Sequence, residues 1–383
     1  MPIPSGRMWL LKDCVMWAKM VAGALYNMDS DFLLKLLRRP TRVIRIFGVA
    51  FLPAIHNDPT VSFAERMRRR SDTTCKLWEG TSDGRKIDWS RTYNSFMFCD
   101  YLRHLPPKVL DLFNNKNLFN QMAAKLGLPM PTPLAVHSLS ALPLGVDGII
   151  VKPNDGMFGM NVQLYKWRLD GRTLFNALTN ENVLHPAKLL AELVALGDSV
   201  VVEERLVNHA SISSIVGADC NALCTFRVTT VADIDLQNIH CLVCILRLCV
   251  RSDTAADNGA IFIDCDHRNG KLRGSAYDVL GHAHVAHPLT GTPLDGHEIA
   301  ELPRVVQTAC EWHERVALEI FSAPLRVFAW DVALTKSGVK IIEVNEIGAQ
   351  VFQLASGPWL ADATFSDIVR NAGGDDWAYQ IFM

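Results

Sequence analysis

The sequence lacks an apolar run long enough to cross a bilayer, and its first residues lack the profile of a signal peptide. Its ten cysteines are scattered without the spacing of a disulfide framework, so we expect reduced, buried thiols in a cytoplasmic protein. The sequence also contains no internal repeat and no low-complexity stretch. The composition, 49% hydrophobic and 20% charged, is that of an ordinary globular protein, and the length of 383 residues predicts two or three domains.

Several well-known catalytic motifs are missing too. The sequence has no Gly-x-Ser-x-Gly, no His-Glu-x-x-His and no Gly-Lys-Ser/Thr of a Walker loop, which argues against the enzyme classes built on them. The four central cysteines, Cys220, Cys224, Cys241 and Cys244, are possible zinc ligands. However, Cys241 and Cys244 lie in a strand-like segment, where their odd offset is expected to point them to opposite faces, so structural zinc is disfavoured.

Charge is unevenly distributed, although the formal net charge is only -2. Residues 1–110 contain 18 lysines and arginines against 10 acids, and the remainder contains 20 against 30. The basic clusters Arg38–Arg42 and Arg66–Arg70 could bind an anionic partner, a membrane surface or a partner subunit. A solvated helix face, or docking on the acidic remainder, explains them more simply. We predict no nucleic-acid partner and no transmembrane segment.

The pattern of apolar residues predicts an α+β protein with antiparallel sheets. Residues 1–105 are expected to be mainly helical, followed by a small lobe over 106–200 and a large lobe over 201–383. Later helices are predicted at 115–127, 174–178, 187–196 and 302–320. Strands are predicted at 148–153, 161–165, 200–206, 225–231, 239–250 and 260–264.

A predicted hairpin near the end of the chain carries two acids. Val327–Leu334 and Val339–Asn345 are apolar runs joined by a Thr-Lys-Ser-Gly turn, so Asp331 should lie opposite Glu343. Asn345 should then point to the same face as Glu343. Opposed carboxylates repel and are costly to desolvate among apolar side chains, unless a cation joins them. The carboxylate oxygens of the two acids and the amide oxygen of Asn345 suit Mg²⁺. The alternative to a metal site is a shift in the register of the hairpin, which would send one of the acids to solvent.

Three other segments carry polar groups at strand ends or in apolar strands. Lys152 ends an apolar strand before a turn containing Gly156 and Gly159, which could form a lid over nucleotide phosphates, or a hairpin with a surface lysine. Glu203-Glu204-Arg205-Leu206 could present backbone groups to an adenine edge, or be a solvated strand end. Arg227 and Arg247 lie in apolar strands and require anionic partners, either phosphate, a substrate carboxylate or an internal salt bridge.

In order and spacing, the motifs of residues 110–370 resemble the ATP-grasp superfamily, and most closely its sugar-transfer-associated branch. The motifs that carry this resemblance are Val151-Lys-Pro, Val201-Val-Glu-Glu204, Phe226-Arg-Val, Asp257-Asn-Gly259, His287-Pro-Leu-Thr-Gly291, Trp330-Asp-Val-Ala333 and Ile342-Glu-Val-Asn345. The loop after Lys152 has fewer glycines and serines than many members, and Asn345 is followed by Glu-Ile-Gly-Ala instead of a proline-containing segment.

The resemblance implies an ATP-grasp fold, in which two α+β lobes with antiparallel sheets hold ATP between them. It implies that Lys116 and Lys152 contact ATP and that the loop with Gly156 and Gly159 covers its phosphates. The remaining implied roles are a hinge to adenine and ribose (Glu203, Glu204, Leu206), catalytic cations (Arg227, Arg247, and Lys152 again) and ligands for one or two Mg²⁺ ions (Asp331, Glu343, Asn345, with Asn258 a weaker candidate).

The activity expected from this resemblance is that of an ATP-dependent ligase. Transfer of the γ-phosphoryl group to a carboxylate gives an acyl phosphate, which an amine converts to an amide with release of ADP and phosphate. The carboxylate would belong to a small molecule, a peptide or a sugar-derived compound. The alternatives are a kinase that phosphorylates a hydroxyl directly, and a nucleotide-binding module without catalytic activity.

Overall fold

The computed structural model describes residues 115–134, 148–154, 162–167, 174–177, 182–183, 186–232, 238–250, 260–278, 281–320, 327–345 and 353–357. The chain divides into two compact units, of which the first comprises residues 1–104, 279–283 and 349–383. Its described part includes the short helix Gln353–Ser356. The second unit, residues 105–278 and 284–348, contains the elements discussed below. The predicted helical region 1–105 lies outside the described residues.

Helix α1 (Lys116–Lys125) confirms the helix predicted before Gly127. Asn115 caps its first turn, because the side-chain oxygen accepts a hydrogen bond from the backbone N–H of Leu118 at 3.0 Å. The helix ends at Leu126, and Gly127 follows with a φ of 65°, the left-handed conformation that glycine adopts without strain. The cap and the glycine therefore fix both ends of α1.

The first sheet has five antiparallel strands in the order β4-β3-β2-β1-β5. Its strands are β1 (Gly148–Pro153), β2 (Gln163–Trp167), β3 (Leu174–Asn176), β4 (Asn182–Val183) and β5 (Val200–Glu204). Helix α2 (Pro186–Leu196) packs Leu189 and Leu193 against Ile149, Val151 and Val202. The opposite face of the sheet carries Lys152 and Glu203 beside the buried apolar side chains of Leu164 and Val201.

The helix predicted at 174–178 is wrong, because residues 174–176 form strand β3. Phe175 pairs with Lys166 of β2, and Asn176 pairs with Tyr165. A segment this short cannot repay the cost of nucleating a helix, whereas a neighbouring strand satisfies its backbone groups. Pairing with β2 therefore overrides the local apolar pattern.

The second sheet has seven strands in the order β10-β9-β8-β7-β6-β11-β12. Its strands are β6 (Thr225–Ala232), β7 (Ile239–Cys249), β8 (Ala260–Asp266), β9 (Lys271–Tyr277), β10 (Ala283–His284), β11 (Val327–Thr335) and β12 (Gly338–Asn345). Helix α3 (Ala210–Val216) precedes the sheet and helix α4 (Leu302–Ile320) lies between β10 and β11. Strands β6 and β11 are buried along their whole length, as expected for central strands.

Helix α4 covers one face of this second sheet with an aromatic and apolar stripe. Trp312 packs edge-on against Trp330 with ring centroids 6.3 Å apart, and His313 packs against Phe328 at 4.6 Å. The buried hydroxyl of Thr230 lies 2.7 Å from His313 Nδ1 and accepts the indole N–H of Trp330 at 2.9 Å. Because side chains alternate along β11, Trp330 on this face places Asp331 on the opposite one.

A β-bulge between β6 and β7 alters the alternation of side chains in the second sheet. The register of β6 and β7 skips Leu242, so that Thr229 faces Val243 while Thr230 faces Cys241. Cys241 and Cys244 therefore both lie on the α4 side, and the prediction that they point to opposite faces is wrong. Within the described residues, no group of three or more His, Cys, Asp or Glu side chains could hold a metal ion.

No helix in the described part of the chain is long and apolar enough to cross a membrane.

Candidate functional site

The acid pair lies where the hairpin pattern predicts it. Asp331 of β11 pairs directly with Glu343 of β12, and a bulge in β12 follows immediately. The two carboxyl groups hydrogen-bond to each other, and Asn345 Nδ2 lies 3.4 Å from Glu343 Oε1. Asp331 is 2% exposed and Glu343 is half-buried, so Glu343 is the more accessible of the two carboxyl groups.

Two arginines hold Asp331 from the neighbouring strands. Arg227 of β6 pairs with Asp331, and its Nε and Nη2 lie 2.6 Å from Oδ1 and 3.1 Å from Oδ2. Arg247 of β7 adds an Nη2 contact of 2.9 Å to Oδ2. Both guanidinium groups are buried, so the internal salt bridge, one of the alternatives open from the sequence, is what the structure forms.

Thr225 orients Arg247 in this cluster. It faces Arg247 across β6 and β7, and its buried hydroxyl accepts a hydrogen bond from Arg247 Nε at 2.8 Å. This bond fixes the plane of the guanidinium group, so that Nη2 is directed at Asp331. Thr225 cannot be recognised from the sequence, because a threonine in a strand is common and its partner lies twenty-two residues away.

The surroundings of the acid pair shift the pKa values of its two carboxyl groups in opposite directions. Burial opposes ionisation of Asp331, but the charges of Arg227 and Arg247 hold its pKa below the ordinary aspartate value. For Glu343, burial and then the charge of Asp331 raise the pKa above the ordinary glutamate value. The positive charges of Lys116 and Arg227 act in the opposite sense and lower the pKa of Glu343 in part. The pair therefore favours one positive charge between its oxygens, either a proton or a metal ion.

These residues fit a magnesium ion. Asp331, Glu343 and Asn345 would hold it, because carboxylate and amide oxygens are the ligands that Mg²⁺ prefers and one or two carboxylates are its usual protein share. Water and phosphate oxygens normally supply the rest of its coordination shell. The raised pKa of Glu343 supports this fit, since burial and the Asp331 charge make an uncompensated second carboxylate unfavourable.

A second polar cluster lies on the first sheet, on the face opposite α2. The Lys152 ammonium group lies 2.7 Å from Glu203 Oε2, and both side chains are buried. Asn120 of α1 donates from Nδ2 to Glu203 Oε1 at 3.1 Å. Both oxygens of Glu203 are thus bonded to protein groups, and Lys152 is neutralised where a ligand phosphate was predicted to lie.

The remaining hinge residues follow Glu203 at the end of β5. Glu204 accepts hydrogen bonds from Thr132 through its backbone N–H at 3.0 Å and its hydroxyl at 2.9 Å. Leu206 is half-buried in the segment that leaves the strand. The backbone is engaged here too, because the N–H groups of Glu204 and Arg205 donate to the carbonyls of Thr132 and Gly148 at 3.0 Å and 2.9 Å. The hinge role assigned to Glu203, Glu204 and Leu206 stays a prediction.

Helix α1 and the segment after it link the two polar clusters. The Lys116 N–H donates to the Asn154 carbonyl at 3.1 Å, and the Asn117 N–H donates to Asn154 Oδ1 at 2.9 Å. Beyond the helix, Ile341 N–H donates to the Pro129 carbonyl at 3.0 Å, next to the acid pair on β12. Asn154 directly follows the strand that carries Lys152, so it sets Lys116 and Lys152 relative to each other.

Sequence reasoning missed Asn120 and Asn154. Each forms its key bond with a residue far away in the chain, across 83 and 37 positions respectively, so no local pattern marks either one. Of the predicted site residues, Gly156, Gly159 and Asn258 lie outside the described residues. The structure brings Arg227, Arg247, Asp331, Glu343 and Asn345 together in one cluster and Lys152 with Glu203 in the other, and the charge of Lys116 acts on Glu343 of the first cluster.

Comparison with known proteins adds a family match. The family described as sugar-transfer associated ATP-grasp matches residues 100–366, well over half of the chain. A comparison with curated protein sequences gives no match.

Similar solved structures include several ligases. The L-amino acid ligase from Bacillus licheniformis is 16% identical, with a TM-score of 0.37, over 72% of this chain and 48% of that one. D-cycloserine synthetase DcsG is 17% identical, with a TM-score of 0.38, over 72% and 78% of the two chains. The D-alanine–D-alanine ligase from Bacillus anthracis is 15% identical, with a TM-score of 0.33, over 71% and 67%. This chain spans about half the length of the first of these.

Proposed function

The chain belongs to the sugar-transfer-associated ATP-grasp family, and on that premise we propose that it is an ATP-dependent carboxylate–amine ligase acting through an acyl phosphate. The observation that carries the proposal is the acid pair Asp331–Glu343, with Arg227 and Arg247 bound to Asp331 and the charge of Lys116 acting on Glu343. Such a cluster combines oxygens that suit Mg²⁺ with cations that suit phosphate.

The proposed reaction has two steps. A carboxylate oxygen of the acid substrate attacks the γ-phosphorus of ATP, an O–P bond forms, the bond to the β-phosphate oxygen breaks, and ADP leaves. The nitrogen of the amine then attacks the acyl carbon, a C–N bond forms, and the C–O bond to phosphate breaks. Phosphate leaves, and the nitrogen loses its proton to water. The energy of ATP is thus used to turn a poor leaving group into a good one.

The residues would contribute mainly position and charge. Lys116, Arg227 and Arg247 would steady the phosphoryl group as negative charge spreads over its oxygens. When bound at Asp331, Glu343 and Asn345, Mg²⁺ would neutralise phosphate charge. Lys152 would reach phosphate by exchanging its bond to Glu203. The loop with Gly156 and Gly159 would cover the phosphates and exclude water. Residues 106–200 and residues 201–383 would form the two lobes that hold ATP.

The test is a trapping experiment with the full chain. The protein is incubated with ATP, Mg²⁺ and a panel of carboxylic acids, with hydroxylamine as a generic amine. A ligase releases ADP and phosphate in equal amounts and forms a hydroxamate that depends on the acid. Glu343→Gln should lose this activity, while the matched surface change Glu311→Gln on α4 should keep it.

Two outcomes would contradict the proposal. A stable phosphoester with ADP but no free phosphate would identify a kinase that uses the same nucleotide site. Nucleotide binding without turnover across acid and hydroxyl panels, unchanged by Glu343→Gln, would identify a binding module without catalytic activity.

A further inference from the structure

Three cysteines that the proposed reaction does not use meet at the end of β7. Cys220 follows α3, Cys224 immediately precedes β6, and Cys249 is the last residue of β7. The Cys249 side chain hydrogen-bonds with those of both Cys220 and Cys224. Its sulfur also lies 3.7 Å from the Leu223 carbonyl, and the Cys220 sulfur lies 3.7 Å from the Ala222 carbonyl. The three thiols therefore form one cluster.

Cys220 is the reactive member of this cluster. It is half-exposed, whereas Cys224 and Cys249 are buried. The hydrogen bond from Cys249, a backbone hydrogen bond at Ala222 and the positive charge of Arg205 outweigh burial and lower the pKa of Cys220 to about 7. Cys249 has the opposite character, because its bonds to Cys220 and Cys224 and its burial raise its pKa well above the ordinary value. At neutral pH a large share of Cys220 is thus an accessible thiolate, beside a protonated Cys249 thiol.

We propose that Cys220 is a peroxide-sensitive site, and that its oxidised sulfur is captured by Cys249 to form a disulfide. Cys249 is the assigned partner because its side chain hydrogen-bonds directly to Cys220, whereas Cys224 touches Cys249 instead. A partly exposed thiolate with a second thiol in contact is the arrangement that redox-sensitive sites require. This proposal does not depend on nucleotide binding or on the ligase reaction.

The chemistry balances with hydrogen peroxide as oxidant. The Cys220 thiolate attacks one peroxide oxygen, an S–O bond forms, the O–O bond breaks, and hydroxide leaves and takes a proton from water or buffer. Sulfur is oxidised by two electrons to a sulfenic acid and peroxide is reduced. The Cys249 sulfur then attacks the Cys220 sulfur, the S–S bond forms, and the S–O bond breaks. The departing hydroxide takes the Cys249 proton, so the sum is one disulfide and two waters.

Cys310 on α4 provides an internal comparison. It is half-exposed like Cys220, but burial and the nearby charge of Glu311 raise its pKa to about 11. Cys241 and Cys244 have pKa values raised well above the ordinary value, first by burial. Selectivity for Cys220 among the described cysteines therefore follows from its surroundings and not from exposure alone.

The bridge would join two parts of the second unit that carry site residues. Cys220 lies in the segment 217–224, whose Asn221 accepts a hydrogen bond from Lys166 of β2 at 2.7 Å. Cys249 lies two residues beyond Arg247, and its carbonyl is 3.0 Å from His287 Nε2. Because Thr225 orients Arg247, a covalent link here fixes the segment immediately before Thr225 to the strand of Arg247.

The first test measures thiol reactivity in the unmodified full chain. Alkylation by iodoacetamide at neutral pH is followed by peptide mapping, which reports every cysteine separately. We expect Cys220 to react about a hundredfold faster than Cys310, given their pKa values and the weaker nucleophilicity of a less basic thiolate. Equal rates, or faster reaction at Cys310, would overturn the proposal without any variant.

The second test follows oxidation by hydrogen peroxide. Wild type and the control variant Cys310→Ser should form a peptide pair that links Cys220 to Cys249 and that dithiothreitol releases. Cys220→Ser should form no such link. Cys249→Ala should stop at a sulfenic acid on Cys220, which dimedone traps, with circular dichroism reporting whether this variant is folded. A bridge from Cys220 to Cys224, or oxidation first at another cysteine, would contradict the assignment.

Discussion

Asp331 and Glu343 face each other across β11 and β12, and their carboxyl groups hydrogen-bond to one another. Two opposed carboxylates in a buried setting are stable together only when a proton or a cation lies with them. Arg227 and Arg247 favour the ionised form of Asp331, so Glu343 is the member of the pair that gains or loses a proton. A bound metal ion, or a change of pH, would therefore act on the charge of this pair of carboxyl groups.

The first prediction concerns the pH dependence of stability without metal. Burial and the Asp331 charge raise the pKa of Glu343, so the folded state binds this proton more tightly than the unfolded state does. The stabilisation is complete below the ordinary glutamate value of 4.5 and is lost as pH rises through the raised pKa. Glu343→Gln lacks this loss, so its melting temperature relative to wild type should rise from about pH 4 to about pH 8.

Calorimetric scans of both proteins in metal-free buffer measure this difference. Added Mg²⁺ at the higher pH should raise the melting temperature of wild type more than that of Glu343→Gln. A difference between the two proteins that stays constant with pH would show that Glu343 does not titrate as the structure requires.

The second prediction separates a buried ion pair from an exposed one. Arg247→Ala leaves Asp331 with one guanidinium partner in the interior and should cost about 3–5 kcal/mol of unfolding free energy. Lys188→Ala removes an exposed pair with Glu192 on α2, at 3.8 Å, and should cost less than about 1 kcal/mol. Urea unfolding of the two variants tests this, and similar losses in both would contradict the central position assigned to Arg247.

The third prediction concerns Asn154, which ties α1 to the strand of Lys152. Asn154→Ala removes the acceptor for the Asn117 N–H but keeps the backbone bond to Lys116, and it should weaken ATP affinity about tenfold because Lys116 is held less firmly relative to Lys152. Asn115→Ala removes a comparable bond to α1, the cap on Leu118, without touching β1. Asn115→Ala should lose clearly less ATP affinity than Asn154→Ala, although the two variants lose similar thermal stability. Titration calorimetry measures the affinities and thermal melts measure the stabilities. Equal affinity losses would mean that only helix stability matters.

The fourth prediction compares two glycines with positive φ. Gly148 opens β1 with a φ of 152°, and a Cβ there would overlap the Tyr165 carbonyl oxygen of β2. Gly127 has a φ of 65° and open space around it. Gly127→Ala should cost about 1 kcal/mol from backbone conformation alone, whereas Gly148→Ala should cost at least about twice as much, since β2 must also move. A smaller loss for Gly148→Ala would contradict the pairing of β1 and β2.

The parts of the fold that sequence predicts are those with a strong local pattern. The turn before Gly338 and the apolar runs around it predict the hairpin, and with it the pairing of Asp331 with Glu343. Asn115 and Gly127 likewise mark the ends of α1, and residues 302–320 form α4 as the pattern predicts. In each case neighbours in the chain supply both the signal and the structure.

The parts that sequence misses depend on distant partners. Residues 174–176 form a strand because they pair with the edge of β2. The bulge at Leu242 puts Cys241 and Cys244 on the same face of the sheet, although their spacing predicts opposite faces. The sequence shows that Arg227 and Arg247 require anions but cannot show that Asp331 supplies one for both. The bond from Asn120 to Glu203 joins residues 83 positions apart and has no local signature.

Calorimetric titration of ATP tests the metal site most directly, with and without Mg²⁺, in wild type, Lys152→Ala and the double variant Asp331→Asn/Glu343→Gln. We expect Mg²⁺-dependent binding to wild type, weaker binding to Lys152→Ala and no Mg²⁺ dependence in the double variant, with thermal melts showing that each protein is folded. Binding to the folded double variant that keeps its full affinity and its Mg²⁺ dependence would contradict the assignment of Asp331 and Glu343 to the metal site.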